Sequence, residues 1–334
     1  MQPLLSIKNL KVYYYTYEGI VKALDNVNLN LYPAEVLGLV GETGCGKSTL
    51  ALSILRLIQP PGKIVEGEII FKGQNLLEKT EEEMRKIRGK KISMVFQDPS
   101  TYWNPVFTIG DQISETIILH KYSIEGSSTL FKKKIKKVAL KEAVDLLKKV
   151  GMPHPEKVIN QYPHELSGGM KQRAMIALAL ASKPDLVILD EATTALDVTI
   201  QAQILELLSD IKKQMGLSMI IVTHDFGIVA EMCDHVAVMY AGVIVEYSAT
   251  KKLFKNPLHP YTRGLLSAIP KLHEEVQELA VIPGTVGNLI DLPTGCRFHP
   301  RCQHAKITCT RKPPQMIEVE PDHFVACFLY GGSN

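Results

Sequence analysis

A glycine-rich loop between an apolar strand and a helix constrains the fold of this chain more than any other feature. Val36–Val40 is an unbroken run of Val, Leu and Gly, which is typical of a strand buried inside a parallel sheet. The sequence GETGCGKS follows at residues 41–48 and matches the pattern G-x-x-x-x-G-K-[ST] in full. Residues 48–58 then have helical periodicity. Strand, loop and helix in this order predict an α/β fold with a phosphate-binding loop.

Strands and helices alternate along most of the chain. Apolar alternation and short apolar runs predict strands at residues 4–12, 23–31, 67–71, 92–96, 186–189 and 218–222. Residues 109–150 are mostly helical in period. This alternation predicts a mainly parallel sheet within a domain that spans residues 1–250, with a helical subdomain at about 100–180. Turn-rich sequence then indicates a small C-terminal extension over residues 251–334.

Composition and charge exclude several classes of protein. The 38 Lys and Arg residues nearly balance the 35 Asp and Glu residues, so the net charge of +3 gives no sign of a nucleic-acid partner. No run of about 18 apolar residues is present, so no transmembrane helix is predicted. The N-terminus lacks the basic and apolar segments of a signal peptide. We therefore expect a cytoplasmic protein, for which other subunits would supply any membrane pore.

The residue types of the loop suit the phosphates of ATP and a magnesium ion. Glycines let backbone N–H groups turn inward around the β-phosphate, and the following helix adds the partial positive charge of its N-terminus. Lys47 supplies a full charge to the β- and γ-phosphates, Ser48 offers a hydroxyl to Mg²⁺, and the Cys45 side chain is assigned no chemistry. The predicted nucleotide-binding residues of the loop are Gly41, Gly44, Cys45, Gly46, Lys47, Ser48 and Thr49.

Two carboxylates and a glutamine that follow apolar strands form a candidate hydrolytic site. Asp190 ends one strand, where its carboxylate can meet Mg²⁺ through water, and Glu191 can polarise the attacking water. Gln97 follows another strand, and its neutral amide can both accept and donate hydrogen bonds. This property suits a contact with both Mg²⁺ and the lytic water. The predicted magnesium site therefore consists of Ser48, Gln97 and Asp190.

A third motif, LSGGMKQR, lies at residues 166–173, between the loop and the acidic strand. Together with the two motifs that flank it, this sequence resembles the ATP-binding-cassette (ABC) family, whose members hydrolyse ATP as paired subunits. The resemblance covers residues 4 to about 250. It implies a P-loop NTPase core of ABC type, in which a RecA-like, mainly parallel sheet is joined by an antiparallel β subdomain and a helical subdomain.

The resemblance also assigns roles around the nucleotide. It implies that Tyr14 stacks on adenine, with Tyr13, Tyr15 and Tyr17 as alternatives for that role. His224 ends the strand after the acidic one, at the spacing of the family's switch histidine, and a histidine there can hydrogen-bond the γ-phosphate. We therefore count His224 with Glu191 and Gln97 as the predicted catalytic residues.

Part of the site is expected to come from a second subunit. The resemblance implies that Ser167, Gly168 and Gly169 bind the γ-phosphate of ATP held by the partner, which agrees with N–H donors exposed at the start of a helix. It also implies that residues 195–197 link the two ATP sites across the dimer. Because every motif is intact, the chain is expected to contribute to hydrolysis at both sites.

Four cysteines near the C-terminus form a second candidate site, with the spacing Cys296-x5-Cys302-x6-Cys309-x17-Cys327. A reducing cytoplasm argues against disulfides and favours a metal site. Four thiolates on a loop-rich scaffold can hold a [4Fe–4S] cluster. Zn²⁺ is the alternative, because histidines that could replace a cysteine lie in the same segment.

The sequence around these cysteines resembles the extension on ATPase subunits of the oligopeptide, dipeptide and nickel uptake group. The resemblance rests on NPLHPYTRGLL at residues 256–266, IPG at 282–284 and GCRFHPRC at 295–302. Some members of that group bind an iron–sulfur cluster through four such cysteines. A structural role is favoured over a redox role here, because a small domain needs a staple.

These observations predict the ATPase subunit of an importer for peptides or related solutes, peripheral to the cytoplasmic face of the cell membrane. The resemblance implies ATP-driven closure of two subunits, with a homologous ATPase as the partner in a homo- or heterodimer. It also implies two transmembrane permease subunits and, indirectly, an extracellular solute-binding protein. Import of oligosaccharides or nickel is an alternative. Tyr102 and Trp103 could meet a permease helix or belong to the core.

Two other functions fit parts of the sequence less well. A soluble ABC ATPase of DNA repair inserts a long coiled coil before the LSGG motif, but only about 120 residues without sustained heptads intervene here. The translation type carries two cassettes in one chain, and this chain has one. An iron–sulfur redox regulator that merely binds ATP would not need the intact Glu191.

Overall fold

The fold is described here from a computed structural model that covers residues 2–122, 129–192, 197–268, 282–285 and 287–330. The strands are β1 (Leu5–Thr16), β2 (Gly19–Leu31), β3 (Val36–Val40), β4 (Gly62–Phe71), β5 (Gln74–Asn75), β6 (Ile92–Val95), β7 (Leu186–Asp190), β8 (Ser218–Thr223), β9 (His235–Tyr240), β10 (Val243–Ala249), β11 (Ile317–Glu320) and β12 (His323–Val325).

The helices alternate with these strands. They are α1 (Lys47–Ile54), α2 (Glu81–Ile87), α3 (Pro99–Tyr102), α4 (Ile109–Lys121), α5 (Thr129–Lys149), α6 (Pro155–Val158), α7 (Gly168–Leu180), α8 (Val198–Met215), α9 (Phe226–Met232), α10 (Thr250–Lys255), α11 (Pro260–Ser267) and α12 (Ile307–Arg311). None of the described helices has the length and apolar character that crossing a bilayer requires.

The chain divides into two compact units, of which the first comprises Met1–Glu78 with Ile221–Asn334. This unit contains a four-stranded antiparallel sheet in the order β2-β1-β4-β5. At the end of β2, Val27, Leu29 and Leu31 are buried whereas the asparagines between them are exposed, so one face of the strand packs on the core. The predicted antiparallel β subdomain is therefore confirmed.

A second group of strands in the first unit runs in the order β11-β12-β10-β9-β3. All five residues of β3 are buried, and β3 pairs in parallel with β9. β9 and β10 form a hairpin across Ala241 and Gly242, whose φ angles of 45° and 83° suit a tight turn that matches the twist of the strands. β12 pairs with β10, so the C-terminal extension is hydrogen-bonded into this sheet.

The second unit, Lys79–Ile220, contains a parallel pair of strands and a group of helices. β6 and β7 pair in parallel, and every residue of β7 is buried. α4 and α5 pack against each other and against α7. Gly110 in α4 approaches the backbone of Ile159 so closely that a Cβ would lie 2.5 Å from its carbonyl oxygen. This contact explains a glycine in the first turn of a helix.

Element boundaries differ from the prediction at two places for local reasons. The helix after the glycine-rich loop ends at Ile54 rather than near residue 58, because Arg56 adopts a left-handed conformation with φ of 53°. β1 extends to Thr16, beyond the predicted end at residue 12, because its tyrosines pair with β2 on one side and β4 on the other. The boundary proposed near residue 250 stays a prediction.

Candidate functional site

Glycine conformations fix the shape of the phosphate loop in the first unit. Gly41, Gly44 and Gly46 have φ angles of 155°, 80° and 108°, a region that side chains rarely adopt. A Cβ at Gly41 would overlap the carbonyl group of Met239, and one at Gly46 would lie 2.5 Å from the carbonyl oxygen of Ala23. The loop therefore needs glycine at these positions for both conformation and space.

Lys47 lies inside the loop rather than extending into solvent. Its side chain is buried, and its Nζ donates hydrogen bonds to the carbonyl oxygens of Gly41 (2.7 Å) and Glu42 (3.1 Å). These acceptors are neutral, so a phosphate would offer the ammonium group a stronger, charge-assisted bond. Ser48 and Thr49 follow in the first turn of α1, where a hydroxyl can face an anion at the helix N-terminus.

Cys45 contributes to the loop through packing and its peptide group. The side chain is fully buried, and burial raises the pKa of its thiol. The Cys45 N–H donates to the carbonyl of Glu42, and its own carbonyl accepts from the N–H of Gly242 in the β9–β10 turn. The prediction that the Cys45 side chain has no chemical role stays a prediction.

The second unit brings two of the predicted catalytic residues together. Gln97 Nε2 donates a 3.0 Å hydrogen bond to Glu191 Oε2. The contact follows from the parallel register of β6 and β7, in which Val95 pairs with Leu189. Glu191 has a left-handed φ of 47°, the kind of strained conformation that persists at functional sites, and Asp190 is buried beside it.

The LSGG motif forms an exposed helix start in the same unit. Ser167 caps α7 by accepting a hydrogen bond from the N–H of Met170. A Cβ at Gly168 would meet no atom within 4 Å, whereas Gly169 faces Ile200 of α8. Ser167, Gly168 and Gly169 line an open pocket with Asp197, which caps α8. Of the predicted inter-site link, residues 195 and 196 lie outside the described residues.

The aromatic candidates for adenine differ in their surroundings. Tyr14 lies against Gly62, where a Cβ would be 2.6 Å from the tyrosine ring, so the glycine leaves room for that ring. The Tyr13 hydroxyl donates to Asp25 over 3.4 Å, and the side chains of Tyr15 and Tyr17 are exposed. The adenine contact of Tyr14 stays a prediction.

His224 follows β8 and is exposed. The next residue, Asp225, caps α9 by accepting a 2.7 Å hydrogen bond from the N–H of Gly227. This cap fixes the chain direction directly after His224. The catalytic role of His224 stays a prediction.

All four C-terminal cysteines line a single pocket, together with His259, His299 and His304. The Cys296 N–H donates to the carbonyl of Cys309 over 2.8 Å, and a Cβ at Gly295 would overlap that carbonyl. Burial raises the pKa of Cys296 to about 11. Over the described ranges, however, no three His, Cys, Asp or Glu side chains are arranged to hold a metal ion. The structure therefore does not support the predicted iron–sulfur cluster.

A set of contacts to Glu42, the second residue of the phosphate loop, was not expected from the sequence. Arg301 donates to both Glu42 carboxylate oxygens, with Nη1 to Oε2 at 2.8 Å and Nη2 to Oε1 at 3.0 Å. The Tyr261 hydroxyl accepts from the Glu42 N–H over 2.9 Å. No local pattern could have indicated pairs that are 259 and 219 residues apart.

Comparisons with known families match two parts of the chain. Residues 24–194 match the family described as "ABC transporter". Residues 245–309 match the family described as "Oligopeptide/dipeptide transporter, C-terminal region". This matched segment includes Tyr261 and Arg301. The two matched segments therefore contain the phosphate loop, Gln97, the LSGG motif and Glu191, together with Tyr261 and Arg301.

Individual relatives match over nearly the full length. A probable peptide ABC transporter ATP-binding protein of Sinorhizobium fredii is 47% identical over 327 residues, which cover 97% of this chain and 94% of the relative. The dipeptide transport ATP-binding protein DppD of Bacillus subtilis is 46% identical, and the aligned residues cover 98% of this chain and 95% of DppD. The dimeric structure of MJ0796, a bacterial ABC transporter cassette, is 29% identical with a TM-score of 0.64, covering 74% of this chain and 98% of that one.

Proposed function

Because the chain belongs to the ABC transporter family, we propose that it binds and hydrolyses ATP as the energy-supplying subunit of a peptide importer. The observation that carries the proposal is similarity over nearly the whole chain to dipeptide and oligopeptide transport ATP-binding proteins. The match of the extension to the oligopeptide/dipeptide transporter C-terminal region supports the same substrate class. Nickel or oligosaccharide import by the same class of transporter is the alternative that the experiment below distinguishes.

In the proposed reaction, the phosphate loop binds ATP and the residues that follow β6 and β7 activate the attacking water. The loop N–H groups and Lys47 bind the β- and γ-phosphates. Glu191, oriented by the Gln97 amide, accepts a proton from water as that water attacks the γ-phosphorus and the bond to the β–γ bridging oxygen breaks. Ser48 and the buried Asp190 offer oxygen ligands of the kind that Mg²⁺ prefers, and Mg²⁺ would neutralise charge on the phosphates.

A second ATPase subunit completes the site in this proposal. The N-terminus of α7 exposes Ser167, Gly168 and Gly169 in an open pocket, which suits an anion carried by another subunit. The dimeric structure of the related cassette supports pairing. Whether the partner is a second copy or a homologous chain is decided by which protein co-purifies with the tagged subunit.

The permease partners would dock on the second unit, at the cytoplasmic face of the membrane. Three large apolar side chains at the end of α3 and just beyond it are strongly exposed: Tyr102 (55%), Val106 (69%) and Phe107 (51%). Contiguous exposed apolar patches mark interaction surfaces, and these three side chains lie close together in the sequence. Trp103, by contrast, is only 4% exposed and belongs to the core. The extracellular solute-binding protein would act only through the permeases.

The cysteine pocket would hold an inorganic group that staples the extension. Support for this proposal is the convergence of all four cysteines on one pocket. Anaerobic purification is expected to give a brown protein with about four irons per chain. Cys302→Ser should abolish the colour, whereas Cys233→Ser, a buried cysteine outside the pocket, should not. A colourless protein that contains zinc would show that the pocket holds Zn²⁺ instead of a cluster. A protein without any metal would refute the proposed metal site.

Transport itself is tested by reconstitution. The tagged chain is purified with its permease subunits, placed in vesicles with the solute-binding protein, and supplied with ATP on the side of this subunit. Uptake of labelled di- and oligopeptides is expected, with none for Lys47→Ala. Uptake of nickel or oligosaccharide in place of peptides would refute the substrate class, and isolation of the chain without permeases would refute the importer.

A further inference from the structure

Glu42 is held at three points, and two of the holding groups come from the C-terminal extension. Its side chain pairs with both terminal nitrogens of Arg301, and its N–H donates to the Tyr261 hydroxyl. Its carbonyl accepts from Lys47 within the loop. Glu42 therefore connects the extension to the residue that is predicted to bind the γ-phosphate.

We propose that Arg301 is a positioning residue for ATP binding, which holds the phosphate loop in its binding conformation and neutralises the carboxylate of Glu42. The extension thereby becomes part of the nucleotide site, although it is distant in sequence. Arg301 acts through Glu42 and has no contact with the nucleotide in this proposal.

Arg301 is itself fixed, so it can transmit a defined position to the loop. Its side chain is 7% exposed. Nε donates to the carbonyl of Pro283 over 2.8 Å, and Nη2 donates to the carbonyl of Gly284 over 3.2 Å. A guanidinium group with two parallel bonds to a carboxylate and further bonds to backbone has little rotational freedom. A lysine at this position could not reproduce that geometry.

Tyr261 is equally fixed at the second holding point. Its ring is fully buried and packs edge-on against Tyr240, with ring centroids 4.7 Å apart. Its N–H donates to Nδ1 of His259 over 3.1 Å. Burial lowers the pKa of His259 to about 4, so this histidine is neutral and can accept the bond. The hydroxyl that meets Glu42 is therefore held by a rigid helix start.

Charge gives Arg301 a second effect on ATP. Glu42 places a carboxylate within a loop that binds a polyanion, and the Glu42 side chain is partly buried at 29% exposure. Without a paired cation, that carboxylate would repel the phosphates at low local dielectric. Loss of Arg301 therefore weakens ATP binding through both position and charge, and both effects require Glu42.

The test compares the full-length chain with four variants. Arg301→Met removes the guanidinium group that pairs with Glu42. Glu42→Gln combined with Arg301→Met removes both charges of this ion pair, and Tyr261→Phe removes only the acceptor of the Glu42 N–H. Arg263→Met is the matched control, because Arg263 is an extension arginine that bonds Pro257 and Tyr330 and not the loop. Binding of mant-ATP and steady-state KM and kcat are measured for each.

The proposal predicts that Arg301→Met raises the Kd for mant-ATP and the KM by about five- to tenfold, the lower range of coupling between two sites. The kcat at saturating ATP should stay near wild type, which separates a positioning effect from a loss of folded protein. The double variant should bind more tightly than Arg301→Met alone, and Arg263→Met should match wild type.

Three results would overturn the proposal. These are an unchanged Kd in Arg301→Met, an equal loss in Arg263→Met, or a double variant at least as weak as Arg301→Met. If Arg301→Met does not fold, Tyr261→Phe decides the matter. Tyr261→Phe should raise the Kd for mant-ATP about threefold, as expected for one hydrogen bond. Wild-type affinity in that variant would refute the proposal that the extension holds Glu42 in place for ATP binding.

Discussion

His235 lies between two carboxylates and should make the stability of the protein depend on pH. At the start of β9, its Nδ1 is 2.6 Å from Glu35 Oε1 and its Nε2 is 2.7 Å from Asp322 Oδ2. The contact with Glu35 is the main cause that raises the pKa of His235 to about 9; burial opposes it and Asp322 adds to it. Glu35 is buried, whereas Asp322 is half-exposed and its effect is partly screened by solvent.

The magnitude follows from the two pKa values of His235. A rise from 6.5 to about 9 corresponds to about 3 kcal/mol, which screening at Asp322 reduces to about 2 kcal/mol. Because the folded state binds this proton more tightly, the stabilisation is complete below pH 6.5 and is lost as the pH rises through 9. His235→Gln should therefore lower the free energy of unfolding by about 2 kcal/mol more at pH 6 than at pH 9.5.

Denaturant unfolding of wild type and His235→Gln at both pH values measures this difference. His164→Gln is the control, because His164 is exposed and forms no carboxylate contact among those the structure describes. NMR titration of labelled histidines should place His235 near pH 9. A difference between wild type and variant that is the same at pH 6 and pH 9.5, or a His235 titration near 6.5, would show that the two carboxylates do not raise the pKa of His235.

Three further substitutions test packing and the loop. Gly110→Ala should destabilise the second unit by about 1–3 kcal/mol, because the added Cβ would meet the backbone of Ile159. Thermal unfolding measures this loss. Gly168→Ala is the control and should melt like wild type, because Gly168 has open space around it. Glu246→Ala should lower the free energy of unfolding by about 3–5 kcal/mol, as measured with denaturant. The reason is that this fully buried carboxylate accepts hydrogen bonds from the N–H groups of Leu258 and His259 and contacts His323. A loss below about 1 kcal/mol would contradict these contacts. Gly46→Ala should abolish mant-ATP binding in a folded protein, because its φ of 108° and the Ala23 carbonyl exclude a side chain, and wild-type affinity would show that the loop tolerates one.

Local patterns in the sequence carried most of the fold and much of the site. The glycine-rich loop was predictable because its conformation depends on residues 41–48 themselves and on the strand and helix beside them. The contact between Gln97 and Glu191 was implicit in the expectation that both follow strands of a parallel sheet, since paired strands end side by side.

Contacts between distant segments were not predictable in this way. Glu42, Tyr261 and Arg301 meet because the extension packs against the phosphate loop within the first unit, and a lone glutamate, tyrosine or arginine carries no sign of its partner. The four cysteines line one pocket, but among the described residues no three of them are arranged to hold a metal ion. The identity of a bound group depends on side-chain geometry that spacing does not specify.

Whether this chain hydrolyses ATP through Glu191 is decided by comparing ATP turnover of wild type and Glu191→Gln, with mant-ATP binding measured on the same preparations. We expect equal affinity for the nucleotide and a loss of turnover of about 10²- to 10⁴-fold in the variant, the usual contribution of a general base. Turnover by Glu191→Gln within a factor of about two of wild type, with ATP still bound, would contradict the claim that this chain hydrolyses ATP through Glu191.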